Sequence, residues 1–471
     1  MADTIERPTI LQVNAWTGSE VPTQELPTFT PWGQRELVAG RTRWLAPAAP
    51  VDDRRWDHPD VGWGLILPDR DDLKPAELAT AADASEPIRK LLAARPGSPV
   101  LRFRKDLQQG YLRRYYADGR AQDLSVQAPR PGTGEGRTPQ YLLINASPAV
   151  IPWAVQYALN MSAYVGRLDL EGTALENYVE ALIGDWGGAS CDPRAAVVWS
   201  VDHGAPDITN LMARVIADRV WTVMETDADL TGRRRLDGAS ATRAGLADAL
   251  AELSPALVVT TSHGMTGPVG SPERLKAQLG APVDADYQAV LPADLAAWNA
   301  GGAIWYAHAC CSAGSDSPSR YSDLLPSSGS VGSVLSGVAT AAGATVAPLP
   351  KALLGAAKPI RAFVGHVEPT FDWTLRDPRN RQPLAHVLTT CLYPKLYERT
   401  EHPTPVAHAL SGIFKEAGSF YGSWQEAIRG INENRPGMRD WALYRQLVAM
   451  DRQTTVILGD PTVSLPKAVG A

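Results

Sequence analysis

The chain has 471 residues, 44% of them hydrophobic and 20% charged, with a formal net charge of −6. That length exceeds what one ordinary hydrophobic core serves, so it predicts two or three domains or one large composite domain. The acidic balance excludes a dominant nucleic-acid footprint, which needs clustered Lys and Arg, and no apolar run approaches the ~18 residues of a membrane span. The opening MADTIERPTI lacks the basic start and apolar centre of a secretory signal, which predicts a cytoplasmic chain. Cys191, Cys310, Cys311 and Cys391 are too few for a disulfide framework in so long a chain, so reduced thiols are expected. No CxxC or HxxxH spacing is present, and neither a metal nor another cofactor is expected.

In chain order, the stretch to about Val126 is rich in Pro, Trp and Arg, with PTFTPWG, RWDHPDVGWG and PVLRFRKDL and little sustained periodicity. It reads as an irregular N-terminal region. APRPGTGEGRTP, residues 128–139, carries no apolar side chain larger than Ala and reads as a linker or mobile loop, which places a boundary near residue 138. Short apolar runs then alternate with helical stretches: YLLIN (141–145), AAVVWSV (195–201), VWTVMET (220–226), ALVVTTS (256–262), AIWYAHA (303–309) and IRAFVGHV (360–367). Runs of this kind are the buried strands of a parallel sheet, while DITNLMARVIADR and ATRAGLADALAEL have helical spacing. The class is α/β, a mostly parallel sheet flanked by helices. From PLAHVLTTCLYPKLYE through MRDWALYRQLVAM the chain is mainly helical, before a last strand-like TTVILGD.

In open α/β sheets the ligand crevice lies at the carboxyl ends of the strands. Two such ends carry chemistry here: ALVVTTS delivers His263-Gly264, and AIWYAHA delivers Cys310-Cys311-Ser312-Ala313-Gly314. A histidine and a cysteine on neighbouring strand ends make a base and a nucleophile. Gly264 leaves its N–H unobstructed, so with the N–H of the nucleophile it is a candidate oxyanion donor. Taken singly, each residue has a plainer reading, as a hydrogen-bonded structural histidine or an inert packed thiol.

TTSHG followed by AHACCSAGS resembles the cysteine peptidases of the caspase, legumain and gingipain clan, whose pattern is apolar strand, His-Gly, apolar strand, Cys-x-x-Gly. The separation of 311 − 263 = 48 residues is close to the ~50 of caspases. YLLINASPAVIPWAVQYALNMSAYVGRLDL, LPKALLGAAKPIRAFVGHVEPTFDW and TTVILGDPTVSLP are similar to segments of bacterial gingipain-like and CHAT-domain proteases, so the likeness covers roughly residues 140–466. It implies a caspase/gingipain-like fold, with 1–138 an N-terminal region plus linker. Residues 139–250 would be a supporting or pseudo-catalytic subdomain, and 251–471 the catalytic subdomain with its C-terminal helices. It further implies Cys311 as nucleophile, with Cys310 turned toward packing, His263 as base, and Gly264 and Cys311 as the oxyanion hole. Ala309 stands where legumain-like members carry an acidic residue, so a preference for basic side chains does not transfer.

Weaker candidates for substrate contact are Asp316, His366 and Trp373. His203 is a rival base better suited to a loop or helix entry capped by Asp202 or Asp207. Gly459-Asp460-Pro461 reads as a strand-ending turn. The implied activity is that of a cysteine endopeptidase, regulated rather than digestive, in a bacterial antiviral defence or cell-death system. Its partners would be a protein or peptide substrate and an activating protease or regulatory protein, with no nucleic acid and no membrane. The alternatives are a catalytically silent caspase-like scaffold and a hydrolase or acyltransferase for a non-peptide substrate.

Overall fold

The computed structural model describes residues 5–27, 51–107, 110–398 and 402–466. Its frame is a mostly parallel 12-stranded sheet flanked by helices. One parallel block runs in the order Arg234–Leu236, Asp192–Ser200, Pro255–Thr261, Ile304–His308, Ala362–His366. A second runs Thr455–Gly459, Tyr164–Leu168, Tyr141–Asn145, Trp63–Pro68, Val100–Phe103. The antiparallel strands Tyr111–Tyr115 and Ala121–Ser125 close its far edge.

The blocks meet where Thr455–Gly459 pairs antiparallel with Ala362–His366. The last strand of the chain thus joins them, and the two blocks point in opposite directions. Their carboxyl ends lie on opposite rims of one sheet.

The strands Pro255–Thr261, Ile304–His308 and Ala362–His366 are buried at every residue, as continuous apolar runs covered on both faces should be. Behind the crevice, the helix Ser411–Asn432 turns Ile413, Phe414, Ala417, Tyr421 and Trp424 inward at helical spacing. It packs with Met438–Gln453 into a second core, shared with Leu11, Val13, Cys310 and Cys311.

Two expectations change. The region before residue 138 is not irregular throughout: it supplies four strands of the main sheet, and Trp63–Pro68 is the direct neighbour of Tyr141–Asn145 across the expected boundary. Its strands hide because charges sit inside them. Arg102 is fully buried in Val100–Phe103, held in a two-pronged pair with Asp83 at 2.7 and 2.9 Å. The 128–139 segment folds back on itself, Thr138 N–H to Arg130 O at 2.9 Å, and Arg114 ties down its carbonyls at Thr133, Gly134 and Arg137.

VWTVMET, expected as a strand, is helical over Asp218–Met224. Ile216, Val220 and Met224 are buried at four-residue spacing while Val223 is exposed, so tertiary burial on one helix face overrides the β-branched composition.

Candidate active site

The histidine and cysteine strands pair in register, Thr261 opposite His308. His263 and Cys310 therefore stand equally far beyond the last paired residues. Past Thr261 the chain peels off as His263–Met265, antiparallel to Pro282–Val283 and parallel to Ala15–Trp16. Past His308 it turns sharply at Cys311, which has φ = 56°. A non-glycine residue there carries strain on the order of 1–3 kcal/mol and persists only where its surroundings fix it. The fixing contacts are Gly314 N–H to Cys311 O at 3.0 Å and the Ser312 hydroxyl, which donates to Ala307 O and accepts the His366 N–H, each at 3.0 Å.

His263 is fully buried. Its Nε2 lies 3.1 Å from Asp207 Oδ2, and its Nδ1 has no hydrogen-bond partner. Asp207 also caps the helix Ile208–Met212, accepting the Thr209 N–H at 2.7 Å, so the loop after Asp192–Ser200 is pinned with its carboxylate facing the imidazole. Burial alone would raise the Asp207 carboxyl, but the hydrogen bond and charge of His263 and the Thr209 bonds outweigh it and bring it to about 2. A carboxylate on Nε2 leaves Nδ1 as the nitrogen free to take a proton. Asp207 was expected as a cap only. That it faces His263 follows from strand order, with Asp192–Ser200 beside Pro255–Thr261, and no residue pattern announces that order.

An aromatic stack flanks the imidazole. His203 lies parallel to Tyr287 at 4.1 Å and to His263 at 5.8 Å, and Trp16 covers Tyr287 at 4.3 Å. Burial, followed by the neighbouring His263, lowers the pKa of His203. The rival base is thus a neutral neighbour of His263 at neutral pH.

Both thiols are buried and lie 3.4 Å apart, Sγ to Sγ. Burial and then Cys311 push the Cys310 thiol well up, so it is neutral. No hydrogen bond joins either thiol to His263 among the described residues. Of the two expected oxyanion donors, one meets a carbonyl of the chain itself. The Gly264 N–H is bonded to Asn14 O at 2.8 Å, and the second N–H on that carbonyl is that of Cys310, at 3.3 Å, not that of Cys311.

The weaker candidates separate. His366 is buried and pairs through Nε2 with His308 Nδ1 at 3.2 Å, while Tyr306 OH lies 2.7 Å from the same Nδ1. Burial lowers the pKa of His366 to about 3 and also pushes that of His308 well down. Trp373 is buried against Tyr444 at 5.2 Å. Asp316 is half-buried, its carboxyl raised by burial against the pull of Arg320 and Arg167.

Glu368, which the sequence did not single out, is buried just past the Ala362–His366 strand. It accepts the Ser319 hydroxyl at 2.9 Å and the Arg320 N–H at 2.8 Å, and burial raises its pKa to about 8. Cys191 and Cys391 are buried free thiols, both raised by burial, Cys391 to about 11. Among the described residues no group of three or more His, Cys, Asp and Glu side chains is placed to hold a metal ion, and no helix is long and apolar enough to cross a membrane.

In comparison with known proteins, no family model, no curated protein and no solved structure matches this chain.

Proposed function

We propose that the chain is a cysteine endopeptidase of the caspase-like kind, working through Cys311 and His263 with Asp207 as orienting carboxylate. The observation that carries the reading is the buried His263 paired with the half-buried Asp207 at one strand end, its Nδ1 unpartnered, beside a strand end that carries two thiols. His263 Nδ1 takes the thiol proton and the thiolate attacks the peptide carbonyl carbon. Collapse of the tetrahedral adduct breaks the C–N bond as the imidazolium protonates the leaving amine, leaving a thioester. Water, deprotonated by the same nitrogen, then hydrolyses the thioester. Asp207 holds the ring and stabilises the imidazolium.

The resemblance supports a cytoplasmic, regulated protease of a bacterial defence or cell-death system, with a protein substrate and an activating protease or regulatory partner. Digestion of a proteome-derived peptide library by the full chain, Cys311→Ala and Cys310→Ala tests this reading. Cleavage lost only in Cys311→Ala supports it as stated, loss only in Cys310→Ala moves the nucleophile by one residue, and no cleavage by any form refutes it. One observation favours the silent scaffold as a second reading: His263 is fully buried and Cys311 is 2% exposed, so the crevice is closed as it stands.

A further inference from the structure

That closure has an identifiable cause. Residues 11–17 run along the crevice at the carboxyl ends of the histidine and cysteine strands. Gly264 pairs with Ala15 and Met265 with Trp16, and the Thr266 N–H donates to Trp16 O at 2.8 Å. The Asn14 carbonyl receives both the Gly264 and the Cys310 N–H. Two amides from neighbouring strand ends converging on one carbonyl oxygen are the arrangement that polarises a peptide carbonyl for attack. On its other side the segment is held by Thr370, whose N–H donates to Asn14 Oδ1 at 2.9 Å. Trp16 closes the aromatic stack over Tyr287 and His263.

We propose that residues 11–17 are an intramolecular occupant of the peptide-binding edge. An extended substrate peptide takes the same edge, by strand addition to His263–Met265, when this segment leaves it. The proposal rests on the peptidase reading only in naming the incoming ligand a peptide.

The edge is built for a backbone rather than for side chains. A Cβ at Gly267 would stand 1.8 Å from Thr17 O, and one at Gly264 1.9 Å from Cys310 O. The fit is also incomplete, because Asn14 Nδ2 is buried without a hydrogen-bond partner. Unsatisfied polar atoms subtract from what holds the segment down, so it opens more readily than the strands behind it. Beyond Trp16 the path continues into an open groove of about 440 Å³ between Met265, Tyr287, Arg243 and Arg274, where a longer peptide has room to exit.

Hydrogen exchange on the full chain is the first test. The Gly264 and Cys310 amides should exchange through local opening, faster than those of Val258 and Tyr306 in the strands behind. Trp16→Ala should speed that exchange and the iodoacetamide labelling of Cys310 and Cys311 about tenfold, the scale of losing one aromatic pair. Labelling of Cys391 should not change. A synthetic peptide TILQVNAWTG, residues 9–18, should slow the labelling of the variant again. Exchange of Gly264 and Cys310 only on global unfolding overturns the proposal whether or not the variant folds. So does labelling indifferent to both substitution and peptide. Labelling that responds as expected, in a protein that cleaves no peptide of the library, leaves the occupant in place and removes the peptidase reading.

Discussion

The two parallel blocks of the sheet treat their carboxyl ends differently. In the second block the charges there are paired: Arg104 reaches Asp69 at 3.0 Å and Asp106 at 2.9 Å, Tyr115 OH donates to Asp69 at 2.9 Å, and Lys351 reaches Asp169 at 3.1 Å. In the first block the carboxyl ends, on the opposite rim, collect buried polar atoms without partners, namely His203 Nε2, His263 Nδ1, His308 Nε2 and His366 Nδ1. Buried polar groups are nearly always satisfied, so a cluster that is not satisfied sets this rim apart from the other. One sheet, two rims, and only one of them is left chemically open.

The largest expected effect breaks the comparison if it fails. Cys311→Ala and His263→Ala each should lower peptide cleavage by at least ~10³-fold, because members of a cooperating site fail as a unit. Arg104→Ala on the other rim should leave kcat/KM within about twofold while lowering stability in urea unfolding, because it removes the cation from Asp69, whose side chain is 5% exposed. Equal losses from both rims would mean that the open rim is not the active one.

Next is Asp207→Asn, with an expected loss in kcat of ~10²–10⁴-fold and an intact fold, the range seen when a histidine loses its orienting carboxylate. Its pH signature is distinct. A carboxyl held at about 2 contributes stability above the ordinary carboxylate range and loses it as pH falls toward 2, so the variant should lack that acid-side component. An unchanged kcat would reduce Asp207 to the helix cap that the sequence suggested.

How much of this was legible in the residues depends on whether a feature is local. The strands ALVVTTS and AIWYAHA, and the His-Gly and Cys-Cys pairs after them, are local patterns and appear where expected, at and just past Pro255–Thr261 and Ile304–His308. Asp207 facing His263, and Asn14 bridging Gly264 and Cys310, depend on which strands lie side by side, over separations of 56 and 250 residues or more, and no periodicity encodes that. The strands before residue 138 were missed for another reason. Arg102 buried against Asp83 and a short LIL run do not read as core until the partner is known.

Within the open rim, His308 and His366 sharpen the contrast with His263, having no carboxylate of their own. Burial holds both neutral in the fold, whereas the unfolded chain binds a proton on each below about 6.5. Folded pKa values below the unfolded one mean that stability falls as pH drops beneath 6.5, down to about 3 for His366. Urea unfolding between pH 6 and 4 should therefore be steeper in pH for the wild type than for His366→Gln, by about 1.4 kcal/mol per pH unit. Equal slopes would place a proton on His366 in the fold and make it a second titrating group of the crevice.

The smallest effect concerns Glu368, the carboxyl at the end of the last strand of the open block, and asks whether it resembles Asp207 or the buried histidines. Burial sets it near 8, so at neutral pH it is mainly protonated, accepting the Arg320 N–H on Oε1 with Ser319 at Oε2. A glutamine has the same shape and offers a donor and an acceptor at those two atoms. Glu368→Gln should change unfolding free energy at pH 4, where the glutamate is protonated in both states, by less than ~1 kcal/mol. The sign at alkaline pH follows from linkage. With a folded pKa raised above the unfolded one, the contribution of Glu368 is fully present below the ordinary glutamate value and is lost as pH rises through about 8. Wild type should therefore weaken between pH 7 and pH 9 while Glu368→Gln does not, and at pH 9 the variant should be the more stable of the two. A variant that is instead weaker at both pH values would show Glu368 to be ionised and paired, with the Arg320 guanidinium, over the Tyr157 ring, as a cation that acts on it, and would place a second charged carboxylate on the rim beside Asp207.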